Sequence, residues 1–463
     1  MLYYDITDLL DHFRHVPRVA GIARVSTGTI ARFRDLARDD GLRLIAFHPR
    51  LRKPVVCDLA SFPFETTSGP AFSRFFGVRY KGPHPIDTYV KRRYKGFLAQ
   101  RFNKLRLIAS NALTKGKTFR RKGVGAPAIG FDGERRAEWR EPEFAAGDVI
   151  FLAGGTRGGF NSYLDYLAKA RRDHGVIIAQ MLYDLLPLTH PQFFLQGHPL
   201  IFSDWLMRMN QAVDLVVACS ERTRKDYLAA SIERGQTPAR VSIVRLAHEY
   251  LESPQPKNVF TPLYEKVSTP VLFAARLPYA LCVGTTEVRK NNFGLARIWD
   301  KLRKKHGPSL PRLIFAGRRG WMNEDFEGYL RRNSELQDFV KLVDSPSDEE
   351  LAFLYRNCLF TLFPSFCEGW GLPIGESLWF GRPAITSNLS SMPEVAGDFA
   401  DYADPYDAAS LEAAIERMLD AGYRQRRVER IAAMNKRLWT DFSDELYKEL
   451  CLAPEMKNAA LLH

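Results

Sequence analysis

Paired cysteines are missing from this chain of 463 residues. Its six cysteines, Cys57, Cys219, Cys282, Cys358, Cys367 and Cys451, are scattered, and none forms a C-x-x-C pair. That spacing argues against a zinc knuckle or a disulfide framework and fits a reducing compartment. Long apolar runs are missing too: no window approaches the roughly 18 apolar residues that a membrane-spanning helix needs. The opening "MLYYDITDLLDHFRH" is too acidic and polar for a signal peptide. The expected location is therefore cytoplasmic, with contact to the inner face of the membrane at most. The chain has no D-x-D and no histidine cluster, and His48, His84, His190 and His248 stand isolated as structural or surface residues. Short repeats and low-complexity tracts are also lacking.

Acidic residues are nearly absent from one stretch. Between Arg74 and Lys122 there are 15 Lys or Arg and one acid, Asp87, a net charge of +14, whereas the remainder holds 51 basic and 52 acidic residues, a net −1. The overall +13 is thus a local device. In "YVKRRYKGFLAQRFNKLRLIASNAL", Val90, Tyr94, Phe97, Leu98, Leu105, Ile108 and Leu113 fall near one helical face and basic residues fill the other. That is the pattern of an interfacial helix on an anionic membrane. A solvated helix covering the first domain is the plain alternative. A nucleic-acid interface ranks last, because no nucleic-acid module accompanies the charge.

What remains reads as an α/β protein. The length allows two or three domains of about 100–200 residues, and 46% apolar residues suffice for real cores. In the second half "YALCVGT", "RLIFAG", "FVKLVD", "LFTLFPS" and "PAITS" read as short buried strands, and "NFGLARIWDKLRKKHG" between the first two has helical spacing of Phe293, Ala296, Ile298, Trp299 and Leu302. "SDEELAFLYRN" opens with Ser347 and Glu350 in capping-box spacing. Strands alternating with helices indicate parallel sheets, with ligands at the carboxyl ends of the strands. The first half repeats the theme in "LRLIAF", "DVIFLAG", "GVIIAQMLYD" and "DLVVACS". Glu252 to Arg276 carries four prolines and reads as a linker. The expectation is two Rossmann-like, doubly wound domains facing a cleft, residues 1–268 and 277–422. A C-terminal helix, 423–450, would pack back across the junction.

One stretch concentrates chemistry. "FCEGWGLPIGES" (Phe366–Ser377) holds Glu368 and Glu376 around a glycine-rich turn. Pro373 suits the first turn of a helix, whose free N–H groups favour phosphate. Gly369 and Gly371 let the backbone approach a ligand. Glu368 would lie in the loop and Glu376 about one turn into the helix, two carboxylates able to accept hydroxyls on both sides of a diphosphate. "GTTEVRKNN" supplies Arg289 and Lys290 for phosphate oxygens. Each of these has a plain reading as a solvated charge. Trp370 reads equally as a pocket wall or a core residue.

With those residues in view, the stretch from about Tyr279 to Asp407 resembles the retaining GT-B glycosyltransferases of the large family four, the glycosyl transferases group 1. The matching pieces are "CVGTTEVRKN", "LIFAGRRGW", "PSFCEGWGLPIGESLWFGRPAITSNLSSMPEVAG" and "ADP". An E-x7-E pair in a Gly-Leu-Pro setting is specific, whereas a bare one would mean nothing. More weakly, "RVAGIARV" looks like the family's glycine-bearing first loop, "LYDLLPLTHPQFF" like its HD-x-x-P segment, and "VACSERTRKDYL" like its S-x-x-T helix start.

The resemblance implies that Glu368 contacts the donor sugar, that Glu376 binds the ribose, and that Arg289 and Lys290 bind the diphosphate. Gly371 and Leu372 would lie against the donor. Gly21 would let the first loop approach the phosphate and acceptor, and Asp184 would lie near the transfer point. Tyr183 stands where many relatives have His; it keeps a hydrogen-bond donor but puts proton chemistry there in doubt. The implied enzyme is a nucleotide-sugar-dependent hexosyltransferase, with mannosyl transfer among its options, acting on a glycan or lipid-linked acceptor in polysaccharide synthesis. Neither cofactor nor metal is expected, the two cations replacing the latter. An alternative is a non-catalytic GT-B protein that binds nucleotide sugar as a scaffold or sensor.

Overall fold

The structure is a computed structural model that describes residues 1–15, 22–37, 41–48, 51–58, 76, 139–154, 161–251 and 267–460. Gly21 and, apart from Phe76, the basic segment 74–122 lie outside the described residues, as does most of the expected linker. The chain divides into two compact units, Met1–Ile178 and Ala179–His463.

In the first unit β1 (Leu2–Asp5) lies between two parallel neighbours, β2 (Leu42–His48) and β4 (Val149–Leu152). An antiparallel strand, β3 (Lys53–Asp58), pairs with β2. All four residues of β1 are buried, as a strand inside a parallel sheet requires. The sequence reading missed β1, because "LYYD" is short and carries polar groups. Asp5 is buried at its end and accepts hydrogen bonds from Thr7 N (3.0 Å), Thr7 Oγ1 (2.9 Å) and Tyr163 Oη (2.6 Å). Burial pushes its carboxyl up to about 6 against those bonds.

The second unit begins within β5 (Ile177–Leu182), which pairs in parallel with β6 (Leu215–Ala218), itself parallel to β7 (Arg240–Ile243). A six-stranded parallel sheet follows: β8 (Tyr279–Val283), β9 (Arg312–Gly317), β10 (Val340–Asp344), β11 (Thr361–Phe363), β12 (Ala384–Ser387) and β13 (Asp401–Ala403). Its order is β10-β9-β8-β11-β12-β13, the doubly wound arrangement that reverses direction between its first and fourth strands. That reversal places the loops after β8 and β11 side by side at the carboxyl edge.

Helix Asn292–His306 buries Leu295, Ala296, Ile298, Trp299 and Leu302. Phe293, expected on the same face, is exposed in the first turn and packs on Tyr329 instead. The capping box is present: Ser347 Oγ accepts from Glu350 N at 3.1 Å, and Glu350 Oε2 from Ser347 N at 2.7 Å. Part of the expected linker is ordered as a helix, Thr269–Ala274, because Val271 and Ala274 find a hydrophobic core.

The single C-terminal helix expected over 423–450 is two helices, Ala421–Ala432 and Trp439–Ala460. The break between them is held by the chain that follows β7. His248 N donates to Arg437 O, and Arg437 N to His248 Nδ1, both at 2.9 Å. Trp439 N and Nε1 donate to Glu249 Oε2 and O, also at 2.9 Å. This segment therefore returns from the six-stranded sheet to the strand group of β5–β7.

Candidate active site

Arg289 and Lys290 lie in a short turn, Val288–Lys290, between β8 and the helix that starts at Asn292. Asn291 ends the turn in a left-handed conformation, φ 56°. Glu368 lies on the neighbouring loop, after β11. The sheet order thus joins residues far apart in sequence: Arg289 Nη1 meets Glu368 Oε2 at 2.6 Å, and Lys290 Nζ, 78 residues away, meets Glu368 Oε1 at 2.5 Å. The two loops are also sewn together through the backbone, Phe366 N donating to Arg289 O at 2.8 Å and Arg289 Nη1 to Cys367 O at 3.0 Å.

Burial by itself would raise the Glu368 carboxyl, but the two cations hold it down at about 2. Burial lowers the Lys290 ammonium, with the adjacent Arg289 charge acting in the same sense and Glu368 opposing both. The ammonium also lies 4.5 Å from the centre of the Phe363 ring, a favourable place for a cation. Arg289 stays charged, burial being outweighed by Glu368 and Glu287.

The backbone around Glu368 is clamped by two serines that the sequence reading quoted but gave no role. Ser390 Oγ donates to Glu368 O at 2.6 Å, and Ser391 Oγ donates to Glu368 O and Trp370 O at 2.9 and 3.0 Å. Gly371 has φ +114° and precedes helix Leu372–Trp379. That conformation suits glycine and turns the chain so that Leu372 and Pro373 begin the helix. Trp370 is buried, with Nε1 lacking a hydrogen-bond partner.

Glu376, inside that helix, is oriented by a residue the sequence reading missed. Tyr355 Oη donates to Glu376 Oε2 at 2.8 Å. Tyr355 is fully buried among Tyr250 and Phe380, so its hydroxyl is fixed by packing.

Tyr183 and Asp184 follow β5 and press against the same glutamate loop. A Cβ on Gly369 would stand 2.0 Å from Tyr183 O and 2.9 Å from Asp184 Cβ, so only glycine allows this approach. Gly369 O accepts from Ser220 Oγ at 2.9 Å, and Tyr183 O from Cys219 Sγ and Thr223 Oγ1, both at 3.1 Å. The D-x-x-P and S-x-x-T segments therefore converge on the glycine beside Glu368. Asp184 Oδ1 accepts from Leu186 N at 3.2 Å, and Tyr183 is buried. Glu394 completes the junction, its oxygens accepting from Glu221 N at 2.7 Å and Arg222 N at 2.9 Å at the start of helix Glu221–Glu233.

His190 and His248 fit their structural reading. His190 Nδ1 lies 2.8 Å from Thr189 Oγ1, and its ring stacks on Phe193. His248 accepts at Nδ1 from Arg437 N and at Nε2 lies 2.9 Å from Val395 O. Among the described residues no group of three or more His, Cys, Asp or Glu could hold a metal ion.

Residues 266–434 match the family model described as glycosyl transferases group 1. O-antigen chain mannosyltransferase B of Escherichia coli is 36% identical over 148 residues, 32% of this chain and 38% of that protein. The serotype-specific mannosyltransferase WbdA of Escherichia coli is 25% identical over 330 residues, 71% of this chain and 40% of that protein. The chain thus spans about two fifths of the length of these curated relatives. Among solved structures, an Escherichia coli trehalose-6-phosphate structure bound with UDP-2-fluoro glucose aligns with a TM-score of 0.55 at 12% identity, over 97% of this chain and 98% of that one. The Anabaena protein HepE, in complex with UDP and glucose, aligns with a TM-score of 0.50 at 12% identity, over 100% and 98% of the two chains. The fold is GT-B, and the second half of the chain matches the glycosyl transferases group 1 model over residues 266–434.

Proposed function

We propose that this chain is a glycosyltransferase of the group 1 family that moves a hexose, mannose in the first instance, from a nucleoside diphosphate sugar to an acceptor hydroxyl in the synthesis of a polysaccharide or lipid-linked glycan, with retention at the anomeric carbon. The observation that carries the reading is the junction at Gly369, where Glu368 with its two cations meets the Tyr183–Asp184 turn. The names of the curated relatives support the choice of mannose and of an O-antigen-type product.

In this reading Arg289 and Lys290 receive the diphosphate, Glu376 the ribose and Glu368 the hydroxyls of the donor sugar. As the bond from the anomeric carbon to the phosphate oxygen breaks, negative charge grows on the diphosphate, and fixed cations in a buried setting stabilise it. The acceptor oxygen bonds to the anomeric carbon on the same face, and its proton passes to the departing phosphate oxygen. The balance needs neither a protein nucleophile nor a metal. Asp184 stands beside the loop that carries Glu368, so it is the carboxylate assigned to the transfer point. Tyr183 supports that turn through its backbone.

A thermal-shift panel of nucleotide sugars, followed by hydrolysis and transfer assays on the hit with and without excess EDTA, tests the reading. Stabilisation by one donor and turnover that survives the chelator are expected. Loss of turnover with rescue by manganese defeats the cation assignment. Tight donor binding with no turnover on any glycan acceptor, nor any hydrolysis, favours the scaffold alternative.

A further inference from the structure

The two cations assigned to the diphosphate are already neutralised. Arg289 has a carboxylate at each end of its fork, Glu368 Oε2 on Nη1 at 2.6 Å and Glu287 Oε1 on Nη2 at 2.7 Å, while Lys290 shares Glu368. Two carboxylates and two cations leave no net charge for an anionic diphosphate to meet. A donor that takes either fork edge of Arg289 therefore displaces one carboxylate from it.

The two carboxylates are not equivalent. The side chains of Arg289, Lys290 and Glu368 retain 16, 12 and 9% of their exposure, and that of Glu287 only 2%. Of the two carboxylates, Glu368 is therefore the more open to solvent. Glu287 is also tied to its neighbours on both sides. Its carbonyl accepts from Lys290 N at 3.0 Å, and the preceding Thr286 exchanges backbone bonds with Arg318 O (2.8 Å) and Gly320 N (3.0 Å) on the loop after β9. A Cβ on Gly320 would stand 3.0 Å from Glu287 Cβ, so that loop leaves the side chain little room. Its second oxygen, Oε2, is buried without a hydrogen-bond partner. An incompletely satisfied buried carboxylate is destabilising, and what Glu287 holds at that cost is the Nη2 edge of Arg289.

We propose that Glu287 is a positioning residue of the donor site, holding the Nη2 edge of Arg289 while Glu368 releases the Nη1 edge to the diphosphate and turns to the donor sugar. This rests on the reading of the cluster as a nucleotide-sugar site. With one edge anchored, the guanidinium presents its free edge to phosphate oxygens in a set direction, and its planar fork makes that direction matter.

Positioning and simple electrostatics predict opposite signs. Removing a negative charge near an anion tightens binding if charge is all that counts. The test is calorimetric titration of the full chain with GDP, UDP, ADP and dTDP, repeated with E287Q, E287D and E287A and with melting temperatures alongside. E287Q keeps an oxygen that accepts from Nη2 and should bind the preferred diphosphate as wild type does or more tightly. E287D keeps the charge but falls one methylene short, and should bind more weakly. E287A should lose about tenfold or more, the scale of a hydrogen bond to a charged group. Unchanged affinity in E287D with tighter binding in E287Q and E287A overturns the proposal and leaves the donor site standing. Equal losses in E287Q and E287D overturn it as well, and the Q–D comparison remains decisive if E287A does not fold. A wild-type protein that binds none of the four diphosphates removes the donor-site reading, and this inference with it.

Discussion

Glu368 is the carboxylate of the candidate site that two cations hold in its charged form. Its carboxyl lies at about 2 against an ordinary 4.5, so the folded state binds its proton less readily than the unfolded chain does. The sign follows: its contribution to stability is fully present above about pH 4.5 and is lost as the pH falls through about 2. Denaturant unfolding of wild type and Glu368→Gln between pH 2 and 5 should show the wild type losing more stability as the pH falls. Parallel curves would remove the ion pairs as the cause. Glu376 supports a separate expectation. Replacing it with Ala should weaken nucleotide-sugar binding by about 1.5–3 kcal/mol, the worth of a charged acceptor to ribose hydroxyls. Unchanged donor affinity in calorimetry would take Glu376 out of the site.

At the scale of elements, the candidate site rests on two neighbouring strands of the six-stranded sheet. β8 and β11 pair in parallel, Thr361 opposite Leu281, and the loops that leave them carry the cations and the carboxylate. The same β11 loop meets the turn after β5 and the start of helix Glu221–Glu233, with Gly369 at the contact. Gly369→Ala would drive a methyl group into the Tyr183 carbonyl at 2.0 Å. The backbone on both sides is tied by hydrogen bonds, so the clash cannot relax locally. A lower melting temperature is expected, together with a loss of transfer larger than the loss of donor affinity, because the Tyr183–Asp184 turn is displaced while Arg289 and Lys290 are not. Wild-type transfer in this variant would show that the contact is dispensable.

At the scale of the whole molecule, the uneven charge bears on where the chain works. Among the described residues no helix is long and apolar enough to cross a membrane. The stretch with +14, residues 74–122, lies outside them apart from Phe76, and its reading rests on sequence alone. We expect Lys91, Arg92, Arg93, Lys95 and Arg101, changed together to Gln, to reduce binding to anionic vesicles. Donor hydrolysis should be spared, because Arg289, Lys290, Glu368 and Glu376 all fall in the other unit. Added salt should mimic the substitutions, since the attraction reaches about one Debye length, ~8 Å at physiological ionic strength. A wild-type protein that ignores anionic vesicles at low salt would assign the segment to the solvated-helix reading.

Local sequence determined the parts of this protein whose signals are short in range. The strands "YALCV", "RLIFAG" and "VKLVD", the buried stripe of Leu295, Ile298, Trp299 and Leu302, and the Ser347–Glu350 capping box all follow from periodicity and spacing within one element. The E-x7-E pair and the Arg-Lys pair were legible for the same reason, each set lying within one loop and the turn beside it. Tertiary structure alone decided how they combine. The strand order sets the Arg289–Lys290 turn against Glu368, and no local pattern reports a pairing across 78 residues. Glu287 stood inside a stretch already read for its cations, yet its role depends on a guanidinium held from two loops. Tyr355 looks like one more apolar-face residue of its helix until packing aims its hydroxyl at Glu376. The break before Trp439 likewise has no strong local signal, because the bonds that hold it come from His248 and Glu249. Side-chain type and spacing are written along the chain, whereas the partner that completes a buried charge is chosen by which strands lie side by side.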